Sequence, residues 1–227
     1  MNSKNHPIIA KTNNTRKPKG NWFYFFFKRV FDIVASLLGL ILIWWIMLIV
    51  AIAVKCNSKG PVIFADRRVG KNGKIIKVFK FRSMFIDAEA NIDSYLTPEQ
   101  KEQWLKERKL ENDPRITKVG RFIRKTSLDE LPQLFNIFGG SMSVVGTRPI
   151  TIRELEDSFT KDEQQILKSG KPGLTGYWQV YGRGEAEYCT GERQKLELEY
   201  FYRRSLVFDL KLIFLTIPAV LKHKGAK

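Results

Sequence analysis

Asp129 and Glu130 stand side by side in Ser127-Leu128-Asp129-Glu130-Leu131-Pro132, directly after a strongly basic stretch. No acidic residue lies between Arg115 and Leu128, while Lys118, Arg121, Arg124 and Lys125 do. Ser127 and Glu130 have capping-box spacing, and Pro132 suits a position in or just beyond a first helical turn. The spacing predicts a helix start at the Asp-Glu pair, where the helix dipole keeps a carboxylate ionised. An ionised carboxylate among Lys and Arg can attack phosphorus and form an acyl phosphate. Its neighbour can hold Mg²⁺, which neutralises phosphate oxygens. A plainer role also fits these six residues: both acids cap the helix and pair with Arg124.

Other chemistries lack their residues. The histidines, His6 and His223, sit near the two ends of the chain, and Cys56 and Cys189 lie far apart. That argues against a Ser-His-Asp triad, a Cys-His pair, a disulfide framework or a His-rich zinc site. There is no phosphate-binding Gly-x-x-x-x-Gly-Lys-Ser/Thr loop. Gly182-Arg183-Gly184 is followed by Glu187 rather than a third glycine, so no dinucleotide fingerprint forms. No Asp-x-Asp pair is present for a nucleotide-sugar metal.

The elements that must position the acidic pair can be read along the chain. Its 227 residues suggest one folded domain with appendages, and 44% apolar content excludes wholesale disorder. Residues 1–20 are polar, basic and free of acid, and read as a mobile tail. An aromatic run from Trp22 to Phe27 precedes Lys28 and Arg29, a pairing suited to the water–lipid boundary. The 22 residues Ile33–Val54 carry no charge, enough as a helix to cross a bilayer core of ~30 Å. Residues 21–56 are therefore expected to form a membrane-inserted helix. Basic residues flank it on both sides. The segment is expected to be re-entrant, dipping into the membrane and returning so that both flanks lie on one side; the alternative is a span whose downstream charges simply belong to a folded domain, residues 57–227.

Within that domain, Val62–Ala65 and Ile75–Phe81 read as strands of a hairpin around Gly70-Lys71-Asn72-Gly73. Thr97-Pro98-Glu99-Gln100 predicts a capped helix to about Leu110. Ile116–Lys125 predicts a basic amphipathic helix, which either lies in a membrane interface or packs on the core. Further helices are expected from the Thr160–Glu163 capping box to Gly170, over Glu192–Arg204, and over the apolar Leu206–Leu221. The fold class is α/β but mainly helical.

Several collinear motifs sharpen the reading. Phe79-Lys80-Phe81-Arg82-Ser83-Met84 and Asp113-Pro114-Arg115-Ile116-Thr117 precede the acidic pair. After it come Phe135-Asn136-Ile137-Phe138-Gly139-Gly140-Ser141-Met142-Ser143, Gly146-Thr147-Arg148-Pro149, Lys171-Pro172-Gly173-Leu174-Thr175-Gly176 and Gly182-Arg183. In this order the chain, from about Phe27 onward, resembles the small bacterial polyprenyl-phosphate phosphoglycosyl transferases. The resemblance implies transfer of a sugar-1-phosphate from a UDP-sugar to undecaprenyl phosphate. It also implies release of UMP, a part for Mg²⁺ and a covalent phosphosugar enzyme on the way. It implies an enzyme of the inner membrane with its catalytic domain on the cytoplasmic face, starting exopolysaccharide, capsule or glycan assembly.

Carried over by motif, Asp129 is the nucleophile and Glu130 its acidic partner at the metal. Arg148 and Arg183 bind phosphate or nucleotide groups, with Lys80, Arg82 and Arg124 further candidates. Membrane lipid is an expected partner, nucleic acid is not, and a homo-oligomer is possible. The chain departs from the family pattern in three places. Ser141 stands where an Asp is common, and Thr147 where Pro often precedes the Arg. Trp44-Trp45 stands where a Ser-Pro pair usually breaks the membrane helix. Two rival readings remain open. The net charge of 16 positive suits a membrane-tethered module that binds nucleic acid or anionic lipid. The other rival is a glycosyltransferase that releases UDP.

Overall fold

Asn21 Oδ1 accepts the Tyr24 N–H at 3.0 Å and opens α1 (Trp22–Asn57), a single helix of 36 residues. The computed structural model describes residues 17–88, 90–107, 110, 112–182 and 191–221. At ~1.5 Å per residue α1 is about 54 Å long, and it runs unbroken through Trp44 and Trp45. Among the described residues it is the one helix long and apolar enough to cross a membrane.

A narrow stripe of α1 is buried: Tyr24, Asp32, Ser36, Val50 and Val54. Gly39 lies on the same side, against Leu134. These positions recur at helical spacing, so one face meets the rest of the protein along almost the whole helix. The other faces leave Phe23, Phe26, Val34, Leu38, Ile41, Leu42, Trp44, Trp45, Leu48 and Ile49 exposed.

After the helix, β1 (Ile63–Val69) and β2 (Ile75–Phe81) form the expected antiparallel hairpin, with Ile63 opposite Phe81 and Val69 opposite Ile75. Its connection is a 3₁₀ turn, Lys71–Gly73, in which Asn72 adopts φ 58°. Then come α2 (Ile92–Tyr95) and α3 (Pro98–Glu107). The Thr97–Gln100 capping box forms with both reciprocal bonds. α4 (Lys118–Lys125) follows, with Thr117 Oγ1 accepting the Gly120 N–H at 2.9 Å. Ile123 is buried while Phe122 is exposed, so the expected apolar side is split between core and surface.

The acidic pair departs from expectation. Leu128–Glu130 is a 3₁₀ turn, and α5 (Gln133–Phe138) begins only after Pro132. Ser127 makes no side-chain cap bond because its backbone is left-handed, φ 57°. An N-cap residue needs an extended backbone to aim its oxygen at the third amide.

β3 (Ser143–Val145) precedes α6 (Ile152–Ser158) and α7 (Lys161–Lys168), each with a complete capping box. β4 (Gly173–Thr175) pairs with β3 in parallel, a second two-stranded sheet that sequence alone did not indicate. The last elements among the described residues are α8 (Tyr177–Tyr181), α9 (Glu192–Arg203) and α10 (Leu206–Leu221).

Three apolar clusters hold these pieces. The largest joins Val145, Leu155, Leu167, Leu198, Phe201 and Leu212. The other two are built jointly by α1 and the domain: Val50 and Val54 with Phe81 and Ile123, and Leu40 and Ile43 around Val78, Leu134, Ile137 and Met142. Fully burying each such aliphatic side chain contributes about 1.5–3 kcal/mol.

Polar contacts fix the N-terminal half of α1 as well. Arg29 donates to the Ile137 and Phe138 carbonyls, both at 2.8 Å, satisfying the end of α5. Asp209 of α10 accepts from Lys28 Nζ at 2.6 Å and from the Tyr24 hydroxyl at 2.9 Å. Of the basic N-terminal segment, residues 17–20 are described, and the Lys19 N–H donates to the Phe201 carbonyl at 2.9 Å.

Candidate active site

β2 delivers Lys80, the 3₁₀ turn delivers Asp129 and Glu130, and the turn after β3 delivers Arg148. Close backbone contacts bring them together. A Cβ on Gly120 would lie 1.9 Å from the Ser83 carbonyl oxygen, so only glycine lets α4 dock there. That approach allows Arg124 Nε to donate to Ser83 Oγ at 2.8 Å. Beside it, Asp113 and Arg115 form a buried ion pair at 2.7 Å, and Arg115 stacks 5.2 Å from the Trp104 ring centre. A Cβ on Gly173 would lie 2.1 Å from the Gly146 nitrogen, so glycine there lets the Arg148 turn rest directly on β4.

Asn136 ties α5 to β2. Its Oδ1 accepts the Phe79 N–H at 2.8 Å and its Nδ2 donates to the Lys77 carbonyl at 2.7 Å, as a neighbouring strand would. Ser141 braces this bracket. Its hydroxyl donates to the Asn136 carbonyl at 3.2 Å and accepts from Asn136 Nδ2 at 3.1 Å. The bracket holds β2, and with it Lys80, against the acidic turn.

These elements line a shallow open cleft formed by Arg68, Val78, Lys80, Glu130, Gln133, Arg148, Pro149, Gly173 and Leu174. Lys80 Nζ stands 3.9 Å from Glu130 Oε1. The Arg148 guanidinium lies 5.3 Å from the Trp178 ring centre. Asp129 adjoins the cleft but keeps only 9% of its surface open.

Burial is the main cause that pushes the Asp129 carboxyl up to about 6; the Glu130 charge adds to it, while Lys80 and Arg124 oppose it. Desolvation thus moves the group opposite to the expected dipole effect, and no α-helix starts at the pair to oppose it, because α5 begins only after Pro132. Burial also lowers the Arg124 guanidinium, against the pull of Asp129 and Asp113.

The cleft collects Lys80, Glu130 and Arg148 from the sequence-based set, with Asp129 and Arg124 adjoining. Arg82 is elsewhere. Its guanidinium donates to the Ser58 carbonyl at 2.6 Å, to Ser58 Oγ at 2.9 Å and to the Pro61 carbonyl. It therefore ties down the chain leaving α1 rather than facing phosphate. Arg183 lies outside the described residues.

Sequence reasoning missed Arg68 and Gln133. In the sequence Arg68 is one of several basic residues downstream of the apolar run, with nothing to set it apart. It reaches the cleft while pairing with Asp66 at 2.5 Å and Glu154 at 3.1 Å. Gln133 gave no signal beyond following Pro132.

Among the described residues no three His, Cys, Asp or Glu side chains converge as a metal cluster. Asp129 and Glu130 supply two adjacent carboxylates. That suits Mg²⁺, which takes one or two protein carboxylates and completes its shell with water and substrate phosphate.

The profile of a family described as bacterial sugar transferase matches residues 23–223. The exopolysaccharide production protein ExoY of Rhizobium meliloti is 42% identical over 201 residues, covering 88% of this chain and 87% of that protein. The undecaprenyl-phosphate galactose phosphotransferase of Salmonella typhimurium is 44% identical over 203 residues, 88% of this chain but 42% of that protein. The UDP-glucose:undecaprenyl-phosphate glucose-1-phosphate transferase of Escherichia coli is 42% identical over 203 residues, 88% and 41% of the two chains. Against these two larger relatives the chain spans about two-fifths of their length.

Proposed function

The chain belongs to the bacterial sugar transferase family, and from that premise we propose that it moves a sugar-1-phosphate from a UDP-sugar to undecaprenyl phosphate with release of UMP. The observation that carries this reading is the buried Asp129 beside a cleft holding Lys80, Glu130 and Arg148. Two of the similar proteins bear names that specify undecaprenyl-phosphate sugar transfer. The product would enter exopolysaccharide, capsule or related glycan synthesis.

The proposed sequence has two displacements. An Asp129 carboxylate oxygen attacks the sugar-bearing phosphorus of the donor. The bond from that phosphorus to the bridging oxygen breaks, and UMP leaves with the electron pair. A phosphate oxygen of undecaprenyl phosphate then attacks the same phosphorus, and the Asp129 carboxylate departs unchanged. Lys80 and Arg148 hold phosphate oxygens in both steps, and their positive charge offsets the charge that gathers there. Arg124 steadies the ionised nucleophile. Glu130 and Asp129 would hold Mg²⁺, which when bound neutralises donor phosphate oxygens.

The lipid acceptor calls for a site at a membrane. α1 packs against the domain from Tyr24 to Val54 and turns its other faces outward as a continuous apolar surface. A perpendicular span would carry one end of the helix ~30 Å away from the domain. The packing therefore supports insertion without crossing, with both helix ends and the catalytic domain on the cytoplasmic face, where UDP-sugars are made. Among the exposed apolar residues outside α1 are Phe122, Phe135, Phe138, Val207, Leu210 and Phe214, which extend the surface offered to lipid.

Product analysis tests the reaction. The protein in detergent with undecaprenyl phosphate and a panel of UDP-sugars should release UMP with one or more of them. Release of UDP instead would assign an ordinary glycosyltransferase. Salt-sensitive anion binding without turnover would assign a binding module.

A further inference from the structure

Glu197 has no place in the chemistry above, yet it is among the most deeply buried side chains in the molecule, with 2% of its surface exposed. It sits on α9 between residues of the main apolar cluster, flanked by Leu198 and one turn from Phe201. A carboxylate in such a place is expensive unless something specific engages it. Its Oε2 accepts the backbone N–H of Arg148 at 3.1 Å. Its Oε1 has no hydrogen-bond partner among the described residues.

The cations around Glu197 explain the arrangement. The Arg148 and Arg193 guanidiniums lie 5.3 Å and 4.3 Å from the centre of one ring, that of the buried Trp178. Two like charges sharing one indole repel each other in a poorly hydrated setting. Glu197 is an anion close to both: Arg193 and Arg148 favour its ionised form against burial, while Glu154, which the same two cations stabilise, opposes it. Arg148 is thus held at two points, its backbone by the carboxylate and its guanidinium by the indole. Its turn cannot be fixed by bulk there, because the backbone of Gly146 already touches β4.

We propose that Glu197 is a positioning residue for the donor: it fixes the Gly146–Pro149 turn and balances Arg193, so that Arg148 presents its guanidinium to the diphosphate. This rests on the reading of Arg148 as a phosphate-binding residue of a UDP-sugar transferase. The carboxylate itself stays behind the site and touches no substrate.

A mutant cycle on the full-length protein tests the assignment, with UMP release as the assay. Glu197→Leu removes acceptor and charge together, and it should raise the donor KM about tenfold while changing kcat less than about threefold. Glu197→Asp keeps the charge but shortens the reach, and it should raise the donor KM about threefold; it serves where the Leu variant does not fold. Each substitution is repeated on Arg148→Met. Because Glu197 acts through Arg148, neither should raise the donor KM further in that background. Equal effects with and without Arg148, or a lower melting temperature with an unchanged donor KM, would overturn the proposal. Absence of UMP release by the unmodified protein would instead count against the transferase reading itself.

Discussion

Lys80 Nζ lies 3.9 Å from Glu130 Oε1, joining the second strand of the hairpin to the acidic turn across the cleft. Burial is the largest cause that raises the Asp129 carboxyl; Glu130 raises it further and Lys80 lowers it, so this pair tunes how readily the buried acid ionises. The relationship leads directly to the pH dependence of the reaction.

Only the ionised form of Asp129 can attack phosphorus, so kcat/KM for the donor should rise with pH along a limb centred near the Asp129 value of about 6. Glu130→Gln should move the limb to lower pH, and Lys80→Met should move it to higher pH. The sign for stability is opposite. The folded value lies above the ordinary 3.8, so the stabilising contribution is present below that value and is lost as pH rises through about 6. Asp129→Asn should therefore melt higher than the unmodified protein at pH 8, with the gap closing below pH ~4. Initial rates and melting curves across pH check both statements.

EDTA should abolish turnover, and Mg²⁺ or Mn²⁺ should restore it, because two carboxylates without His or Cys suit a hard, oxygen-liganded ion. Glu130→Gln should raise the Mg²⁺ concentration needed for half-maximal rate by about tenfold or more. Undiminished activity in EDTA would remove the metal role from Glu130.

Much of this arrangement was legible in the sequence because it depends on local rules. The hairpin, the Thr97 and Thr160 capping boxes and the length of α1 follow from turn residues, cap spacing and an uncharged run. The parallel pairing of β3 with β4 was not legible. Each strand has three residues, and the pairing rests on backbone contact between Gly146 and Gly173, distant in sequence. The spacing of Ser127 and Glu130 suggested a capping box because spacing does not reveal a left-handed φ. The motif residues marked the site, but only the folded chain separates Lys80 and Arg148 in the cleft from Arg82 on the Ser58 and Pro61 carbonyls.

Asp32 lies within α1, yet its Oδ1 accepts from Ser143 Oγ at 3.0 Å and from the Val144 N–H at 2.8 Å. It fastens the helix to the edge of the parallel sheet. Asp32→Ala leaves the buried Ser143 hydroxyl and the half-buried Val144 amide without this acceptor, which costs about 1–3 kcal/mol. The variant in detergent should melt lower by roughly 2–4 °C for each kcal/mol lost. An unchanged melting temperature would mean that apolar packing alone fixes the helix.

Insertion without crossing leaves the chain before and after α1 on one side of the membrane. In a variant with Cys56 and Cys189 replaced by Ser, single cysteines at Ser3 and at Lys71 should both resist an impermeant thiol reagent added to intact cells. Both should react once the cells are opened. Labelling at position 3 alone in intact cells would establish a true span.

Asp129 as a covalent nucleophile is the centre of the account, and one mass measurement addresses it directly. The protein is incubated with Mg²⁺ and an accepted UDP-sugar, without undecaprenyl phosphate, quenched, digested and analysed. The predicted result is one sugar-phosphate mass increment on the peptide carrying Asp129, one equivalent of UMP, and loss of the increment on adding the lipid acceptor. Asp129→Asn should show neither increment nor turnover while folding normally. Full turnover by that variant, or UMP release only when donor and acceptor are both present with no adduct at any time, would contradict it.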